Sequence, residues 1–442
     1  MVDVPVALRR APREEAVLSA PPTMPVERPA SAPSYFHVMA KPTGAICNLD
    51  CSYCFYLDKE ALYPDGRFRM REEVAKAYIQ QVVEAHRGAS EVTIAWQGGE
   101  PTLMGLAFFA SMVSFAESVV GPGQHVTHTL QTNGTLLSDD WAQFLAEKRF
   151  LVGISIDGPS ELHDAFRRDK RGRATHDRVL DGLDHLRRHN VEYNVLCSVH
   201  AANAGHPREV YRFLRDDCGA HFIQFIPIVE HEPTAENAEC VSARSVGAAQ
   251  WGTFLVEVFE EWVGADIGEV FVQSFDTTLA SFLGVPPGIC VFAQTCGDAV
   301  ALEHNGDLYC CDHFVDPAHL LGNIMTSHVL ELVSSPKQRQ FGLDKSERLP
   351  RFCRECDVLF ACNGECPKNR FVTAPDGEEG LNYLCAGYQT YFRRVAAPMR
   401  IMADLLREGK PAAEITNLIR TAPRNGLCPC GSARKAKLCH LR

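Results

Sequence analysis

Three cysteines in the run Cys47-Asn48-Leu49-Asp50-Cys51-Ser52-Tyr53-Cys54 constrain this chain more than any other feature. Three thiolates on one short loop can hold three irons of a cubane cluster and leave the fourth iron open for chemistry, because such clusters ordinarily take four cysteine ligands. A zinc site is the competing reading. Zinc asks for a fourth Cys or His at short range, and His37 precedes the run instead of following it at a ligand spacing. The spacing therefore favours a 4Fe-4S cluster with one open coordination position.

The chain has 442 residues, 46% of them apolar, enough for two or three structural units. Its 18 cysteines exceed what packing requires. Met1 is not followed by the basic start and apolar core of a secretory signal, so metal ligation in a reducing cytoplasm is expected in place of disulfides. No apolar run approaches the roughly 20 residues of a spanning helix. A formal charge of -11 argues against nucleic acid or an anionic membrane as partner. Residues 1–34, with Ala20-Pro21-Pro22 and Arg28-Pro29-Ala30, lack apolar periodicity and read as a disordered leader.

From Tyr35 short β-rich runs alternate with amphipathic segments. Strands are expected at 36–40, 92–96, 126–131, 151–156, 193–199 and 222–228, and helices at 72–86, 107–120, 139–148, 177–189 and 208–216. Six β/α units in succession predict an α/β fold over 35–240, an open parallel sheet or partial barrel, followed by a helical linker over 241–285. The cysteine loop follows the first strand, at the edge where such sheets carry their sites. Polar turns end the next three strands: Gln97-Gly98-Gly99-Glu100-Pro101, Gln131-Thr132-Asn133-Gly134 and Ser155-Ile156-Asp157-Gly158-Pro159. A Gly pair allows close backbone approach, and a neighbouring Glu can pair with an ammonium. Each turn alone is an ordinary turn; three at successive strand ends favour a ligand site. Arg167 is either a carboxylate ligand or a solvated charge beside Arg168 and Lys170.

A second set of thiols lies downstream: Cys290, Cys296 and Cys311, then Cys353, Cys356, Cys362, Cys366 and Cys385. Eight thiols fill two 4Fe-4S clusters or two four-thiolate zinc sites, and counting does not separate the two. Cys197, Cys218 and Cys240 have no partner at ligand spacing and read as small buried residues. At the tail, Cys428, Cys430, Cys439 and His440 give four soft ligands in a short span, suited to one tetrahedral Zn2+. Arg434, Lys435 and Lys437 either dock an acidic partner or simply face water.

The cysteine loop with Phe55-Tyr56 resembles the signature of radical S-adenosylmethionine (SAM) enzymes, and the eight downstream thiols resemble their SPASM extension. The tail resembles the SEC-C motif. Within this group, Cys54-Phe55-Tyr56, Trp96-Gln97-Gly98-Gly99-Glu100-Pro101-Thr102-Leu103, Gln131-Thr132-Asn133-Gly134-Thr135-Leu136 and Cys311-Asp312-His313-Phe314-Val315 look like the anaerobic sulfatase-maturating enzymes. The resemblance implies a partial (β/α)6 radical SAM barrel, a SPASM domain over 286–400, a helical linker over 401–422 and a zinc knuckle over 423–442. It implies SAM contacts from Tyr53, Gly98, Gly99, Glu100, Ser155, Arg167 and Leu196, substrate contacts from Tyr56 and Gln97, and Asp312 as the base. Cys47, Cys51 and Cys54 would hold the SAM-binding cluster. Cys290, Cys296, Cys311 and Cys366 would hold one auxiliary cluster, Cys353, Cys356, Cys362 and Cys385 the other, with Cys310 a possible exchange for Cys311. The implied activity is oxidation of a Cys or Ser in an unfolded or nascent sulfatase to Cα-formylglycine, with flavodoxin or ferredoxin as electron donor. The rival reading is a SPASM maturase that crosslinks or epimerises a ribosomal peptide. For Asp312, Tyr56 and Gln97 ordinary structural roles compete: a turn carboxylate, a buried aromatic and a strand-end cap.

Overall fold

The computed structural model describes residues 28–64, 66–234 and 237–440. Most of the expected leader, residues 1–27, lies outside the described residues. Its last stretch is tied to the body: Arg28 Nη1 donates to Ala85 O at 2.7 Å and Ser31 Oγ to Ser334 O at 3.1 Å.

Seven strands run parallel: β1 His37–Lys41, β2 Glu91–Trp96, β3 His125–Thr132, β4 Leu151–Ser155, β5 Tyr193–Val199, β6 Phe222–Pro227 and β7 Phe271–Val272. They lie side by side in chain order, and the sheet does not close. Crossover helices α1 Glu72–Ala85, α2 Leu106–Val119, α3 Asp139–Glu147, α4 His176–Arg188 and α5 Pro207–Arg212 join β1 through β6. Each forms because its apolar residues share a face. In α1, Val74, Tyr78 and Val82 recur at four-residue spacing and all are buried. Ser138 starts α3 by accepting from Trp141 N, with Asp139 and Asp140 beside the positive end of the helix. Strand residues Ile94, Val152, Ile154 and Val195 are fully buried on the face packed under the helices, while their neighbours Leu151, Gly153, Asn194 and Leu196 on the other face are only half-buried.

The cysteine-rich region does not stand apart from this sheet. Its strand β8 Ala299–Glu303 pairs in parallel with β1, and β9 Asp307–Tyr309 and β10 Leu320–Asn323 extend the same sheet as an antiparallel hairpin. The sheet therefore has ten strands, ordered β10-β9-β8-β1-β2-β3-β4-β5-β6-β7.

Helices α6 Ala248–Ala265 and α7 Gln273–Leu283 fill the expected linker. A helix α8 Pro336–Glu347 precedes the second group of cysteines. Helix α9 Cys385–Arg407 then packs along α6 and α7, so the expected helical linker over 401–422 starts as the end of one 23-residue helix. Helix α10 Glu414–Thr421 leads to the tail. Among the described residues no helix is long and apolar enough to cross a membrane.

Candidate active site

The loops that follow β1 through β5 meet at the carboxyl edge of the sheet around a cavity of ≈ 280 Å³. Cys47, Cys51 and Cys54 line it, with Tyr53, Tyr56, Gln97, Gly98, Gly99, Ser155, Arg167 and, from the far domain, Asp312. Burial pushes the Cys47 thiol up to about 11 and the Cys51 thiol up to about 12, and their mutual repulsion adds to it. Three thiols crowded on one loop, Cys51 buried and Cys47 and Cys54 half-buried, are unfavourable as thiolates until a cation neutralises them, which fits a metal cluster.

The cysteine loop is gripped by its neighbours. Gly99 N donates to Gly44 O at 2.8 Å and Glu100 N to Ile46 O at 3.0 Å. A Cβ at Gly99 would come within 2.0 Å of Ile46 O, so the backbone that approaches this Gly pair is the cysteine loop itself. Gly98 adopts a φ of 116°, which side chains rarely tolerate. Asn133 Nδ2 donates to Asn48 Oδ1 at 2.9 Å and lies 3.6 Å from Cys47 Sγ.

Glu100 is fully buried and does not line the cavity. Its carboxylate accepts from Thr102 N at 3.0 Å, Thr102 Oγ1 at 2.6 Å, Thr132 Oγ1 at 2.8 Å and Asn133 N at 2.8 Å, fastening the turn after β2 to the end of β3. Leu196 also lies outside this cavity, in a second chamber of ≈ 430 Å³ nearer the amino ends of the strands. Gln97, Gln131 and Gln224 line both.

Arg167 is not a solvated charge. It is buried, its Nε donates to Asp157 Oδ2 at 2.8 Å, and its guanidinium lies 5.6 Å from the Tyr53 ring centroid. Tyr53 donates to the same carboxylate oxygen, and Ser198 N donates to Asp157 Oδ1 at 2.9 Å. Burial alone would raise the Asp157 carboxyl, but the Arg167 guanidinium and, beside it, His200 and His163 together hold the group well below the usual carboxylate range.

Opposite the thiols, Lys41 Nζ sits 2.5 Å from Asp312 Oδ1, 3.4 Å from Gln97 Oε1 and 4.6 Å from the centroid of the Tyr56 ring. Tyr56 donates its hydroxyl to Glu303 at the end of β8. One buried ammonium thus joins all three residues expected to face the substrate. Although burial raises the Asp312 carboxyl, Lys41, His313 and Lys368 bring it below its ordinary value. Sequence reasoning missed Lys41, Asp157 and Asn133. The signal for Lys41 was its place, a charge closing an apolar strand directly before the cysteine loop.

The downstream thiols fall into two electrostatic groups. Besides burial, the Cys311 thiol is raised by Cys366 and Cys290, and the Cys296 thiol by Cys290. The Cys362 thiol is raised by Cys385 and Cys353, and the Cys385 thiol by Cys353 and Cys356. In the tail, the ligand atoms of Cys428, Cys430, Cys439 and His440 all lie within 4.8 Å of one another. His440 Nδ1 faces Cys428 Sγ at 3.4 Å, and its Nε2 meets Glu260 O at 3.0 Å. That is the orienting contact a metal-bound imidazole needs. Arg434 pairs with Glu260 of the same chain at 3.2 Å.

The sequence matches the Radical SAM superfamily over residues 42–214, the SPASM iron-sulfur cluster-binding domain over 290–357 and the SEC-C motif over 424–442. It is 42% identical over 398 residues to a serine-type anaerobic sulfatase-maturating enzyme of Bacteroides thetaiotaomicron, covering 87% of this chain and 95% of that one. It is 32% identical to a cysteine-type enzyme of Clostridium perfringens, covering 80% and 95%. A solved structure of native anSMEcpe with bound AdoMet and Cp18Cys peptide superposes with a TM-score of 0.74 at 30% identity, covering 84% of this chain and 99% of that one.

Proposed function

The chain belongs to the anaerobic sulfatase-maturating enzymes of the radical SAM superfamily, and on that footing we propose how its own residues oxidise a sulfatase Ser or Cys to Cα-formylglycine. SAM and iron-sulfur clusters are its cofactors. We assign three 4Fe-4S clusters: one to Cys47, Cys51 and Cys54, one to Cys290, Cys296, Cys311 and Cys366, and one to Cys353, Cys356, Cys362 and Cys385. The grouping of thiol repulsions supports this division; Cys310, fully buried, is raised by that burial and further by Cys296 of the first group, and stays the alternative to Cys311. A single Zn2+ fits the tail.

SAM at the open iron supplies a hydrogen-abstracting radical, and the auxiliary clusters supply an electron sink. The chain's residues do the rest. The Gly98–Gly99 backbone, Ser155, Tyr53 and Arg167 bind SAM, Arg167 being held in place by Asp157. Glu100, its oxygens spent on Thr102, Thr132 and Asn133, serves by fixing the turn. Tyr56 and Gln97 face the target residue. Asp312 accepts the hydroxyl or thiol proton as the substrate carbon becomes a carbonyl or thiocarbonyl, the thiocarbonyl then exchanging its sulfur for the oxygen of water with release of hydrogen sulfide, and Lys41 holds the carboxylate in position.

The observation that carries this reading is the shared cavity: Asp312, from the SPASM side, reaches the chamber of the three-cysteine loop. Higher identity to the serine-type relatives supports Ser as the preferred target. A flavodoxin or ferredoxin in the cytoplasm is the fitting electron donor. The test is anaerobic reconstitution with SAM, a strong reductant and peptides containing Ser-x-Pro-x-Arg or Cys-x-Pro-x-Arg, following aldehyde and 5′-deoxyadenosine together. Aldehyde on either peptide is expected. Deoxyadenosine without peptide oxidation, on both peptides, would move the chain to the peptide-crosslinking or epimerising class.

A further inference from the structure

The second chamber, ≈ 430 Å³, is walled by inward-facing residues of β3 through β7 and closed on one side by α7. Its lining is amide-rich: Gln131, Asn194, Gln224 and Gln273 offer donors and acceptors without charge. Asp276, in the first turn of α7, is the single ionisable residue in that lining. Its carboxylate has no hydrogen bond or ion pair among the described residues. Burial, with no neighbouring charge to oppose it, pushes the group up to about 7. At the rim, Phe222 and Phe271 stack at 5.0 Å and 14° while staying 47% and 39% exposed. An exposed aromatic pair at the mouth of a polar chamber is the composition of a peptide-gripping surface.

Three facts identify the occupant. The chamber shares Gln97, Gln131, Gln224, Gln273 and Ile289 with the SAM cavity, so the two lie against each other and a chain held in one is close to the radical generated in the other. Amides carried one each by β3, β5 and β6 (Gln131, Asn194 and Gln224), with Gln273 at the start of α7, offer donors and acceptors across the chamber to the backbone of an extended chain. A lone desolvated carboxylate calls for a cation, since pairing relieves the burial penalty it otherwise bears.

We propose that this chamber takes an extended segment of the substrate polypeptide and that Asp276 receives a cationic side chain near the target residue, making it a determinant of substrate choice. The inference rests on the sulfatase reading above. Other faces of the chamber offer amides, the hydroxyls of Thr129 and Thr277 and apolar groups, so the charge recognition is assigned to Asp276 alone.

The test compares two peptides, alike except that the arginine of Ser-x-Pro-x-Arg is citrulline in one, bound to the cluster-loaded, SAM-bound enzyme and followed by fluorescence anisotropy. Wild type is expected to favour arginine by about tenfold, Asp276→Asn to reduce that preference to less than about twofold, and Asp276→Glu to restore part of it. Because the preference is a ratio within each protein, partial loss of folded enzyme cancels. An unchanged preference in Asp276→Asn, or none in wild type, overturns the assignment. Aldehyde formation by wild type, measured alongside, tells the two readings apart: aldehyde with no role for Asp276 sinks this inference alone, and no peptide binding by wild type sinks both.

Discussion

Two cysteine loops, near opposite ends of the chain, show what separates a reactive metal site from a structural one. The loop at Cys47, Cys51 and Cys54 supplies three donors and opens onto a cavity. The tail supplies four donors that converge within 4.8 Å, with Cys428 and Cys430 packed into the main apolar core. In the first, burial leaves the thiols high, with no adjacent base to take their protons. In the second, burial also raises Cys430, but hydrogen bonds from His440, Ser432 and Cys428 together bring that thiol down to about 6, with His440 raised to about 9, while burial pushes Cys428 up to about 12. The tail carries its own charge compensation for one of its thiols, in an imidazole oriented by Glu260 O. The amino-terminal loop depends on an incoming cluster for both. A missing fourth ligand, a cavity and uncompensated thiols go together.

The contrast breaks most visibly at Cys51. Cys51→Ser should bring SAM-dependent deoxyadenosine formation down to background, with the auxiliary iron content retained; survival of activity would mean the loop is not the reactive site. Next in size, Asp312→Asn should lower aldehyde formation roughly 10²- to 10⁴-fold, the usual range for a displaced proton acceptor, while deoxyadenosine still forms. Equal loss of both products would instead place Asp312 in SAM binding. Cys430→Ser should leave SAM cleavage intact and lower the thermal midpoint by about 2–4 °C, as expected for a few lost contacts in a chain of this size. Complete loss of SAM cleavage in that variant would erase the distinction between the two loops.

The smallest effect concerns a carboxylate whose counter-charge lies off the chain. Asp276 is raised to about 7 in the fold, above its unfolded value. The folded state therefore holds the proton more tightly, and stability present at low pH is lost as pH rises from the unfolded value through about 7. Asp276→Asn removes that loss. Denaturant melts should show the variant gaining on wild type as pH rises, by up to about 2 kcal/mol above pH 7 after allowing for partial exposure. A pH-independent difference would show that Asp276 is already paired.

The parallel strands and crossover helices were legible because each is a local pattern. The expected strand at 193–199 is the observed Tyr193–Val199, and the expected helix at 72–86 differs from Glu72–Ala85 by one residue. The cysteine loop and its polar strand-end turns were legible for the same reason. What local pattern does not carry is pairing at a distance. Ala-Val-Ala-Leu-Glu at 299–303 is too short to announce that it flanks β1. Lys41 gains its meaning only from Asp312, which the fold brings from the far side of the chain. Glu100 shows the converse: its motif points to a ligand, yet its oxygens are used on the chain's own donors.

The pairing of β1 with β8 also sets an order of events during synthesis. His37 lies against Ala299 and Lys41 against Glu303, so the strand that launches the cysteine loop has a bare flank until more than half of the protein has left the ribosome. Until then β1 is an edge open to wrong partners, and Tyr56 lacks the Glu303 acceptor that anchors it. Completion of the support under the cysteine loop is thereby coupled to arrival of the downstream cysteine-rich region, and a nascent chain stalled before residue 299 would offer its three thiols on an unfinished support.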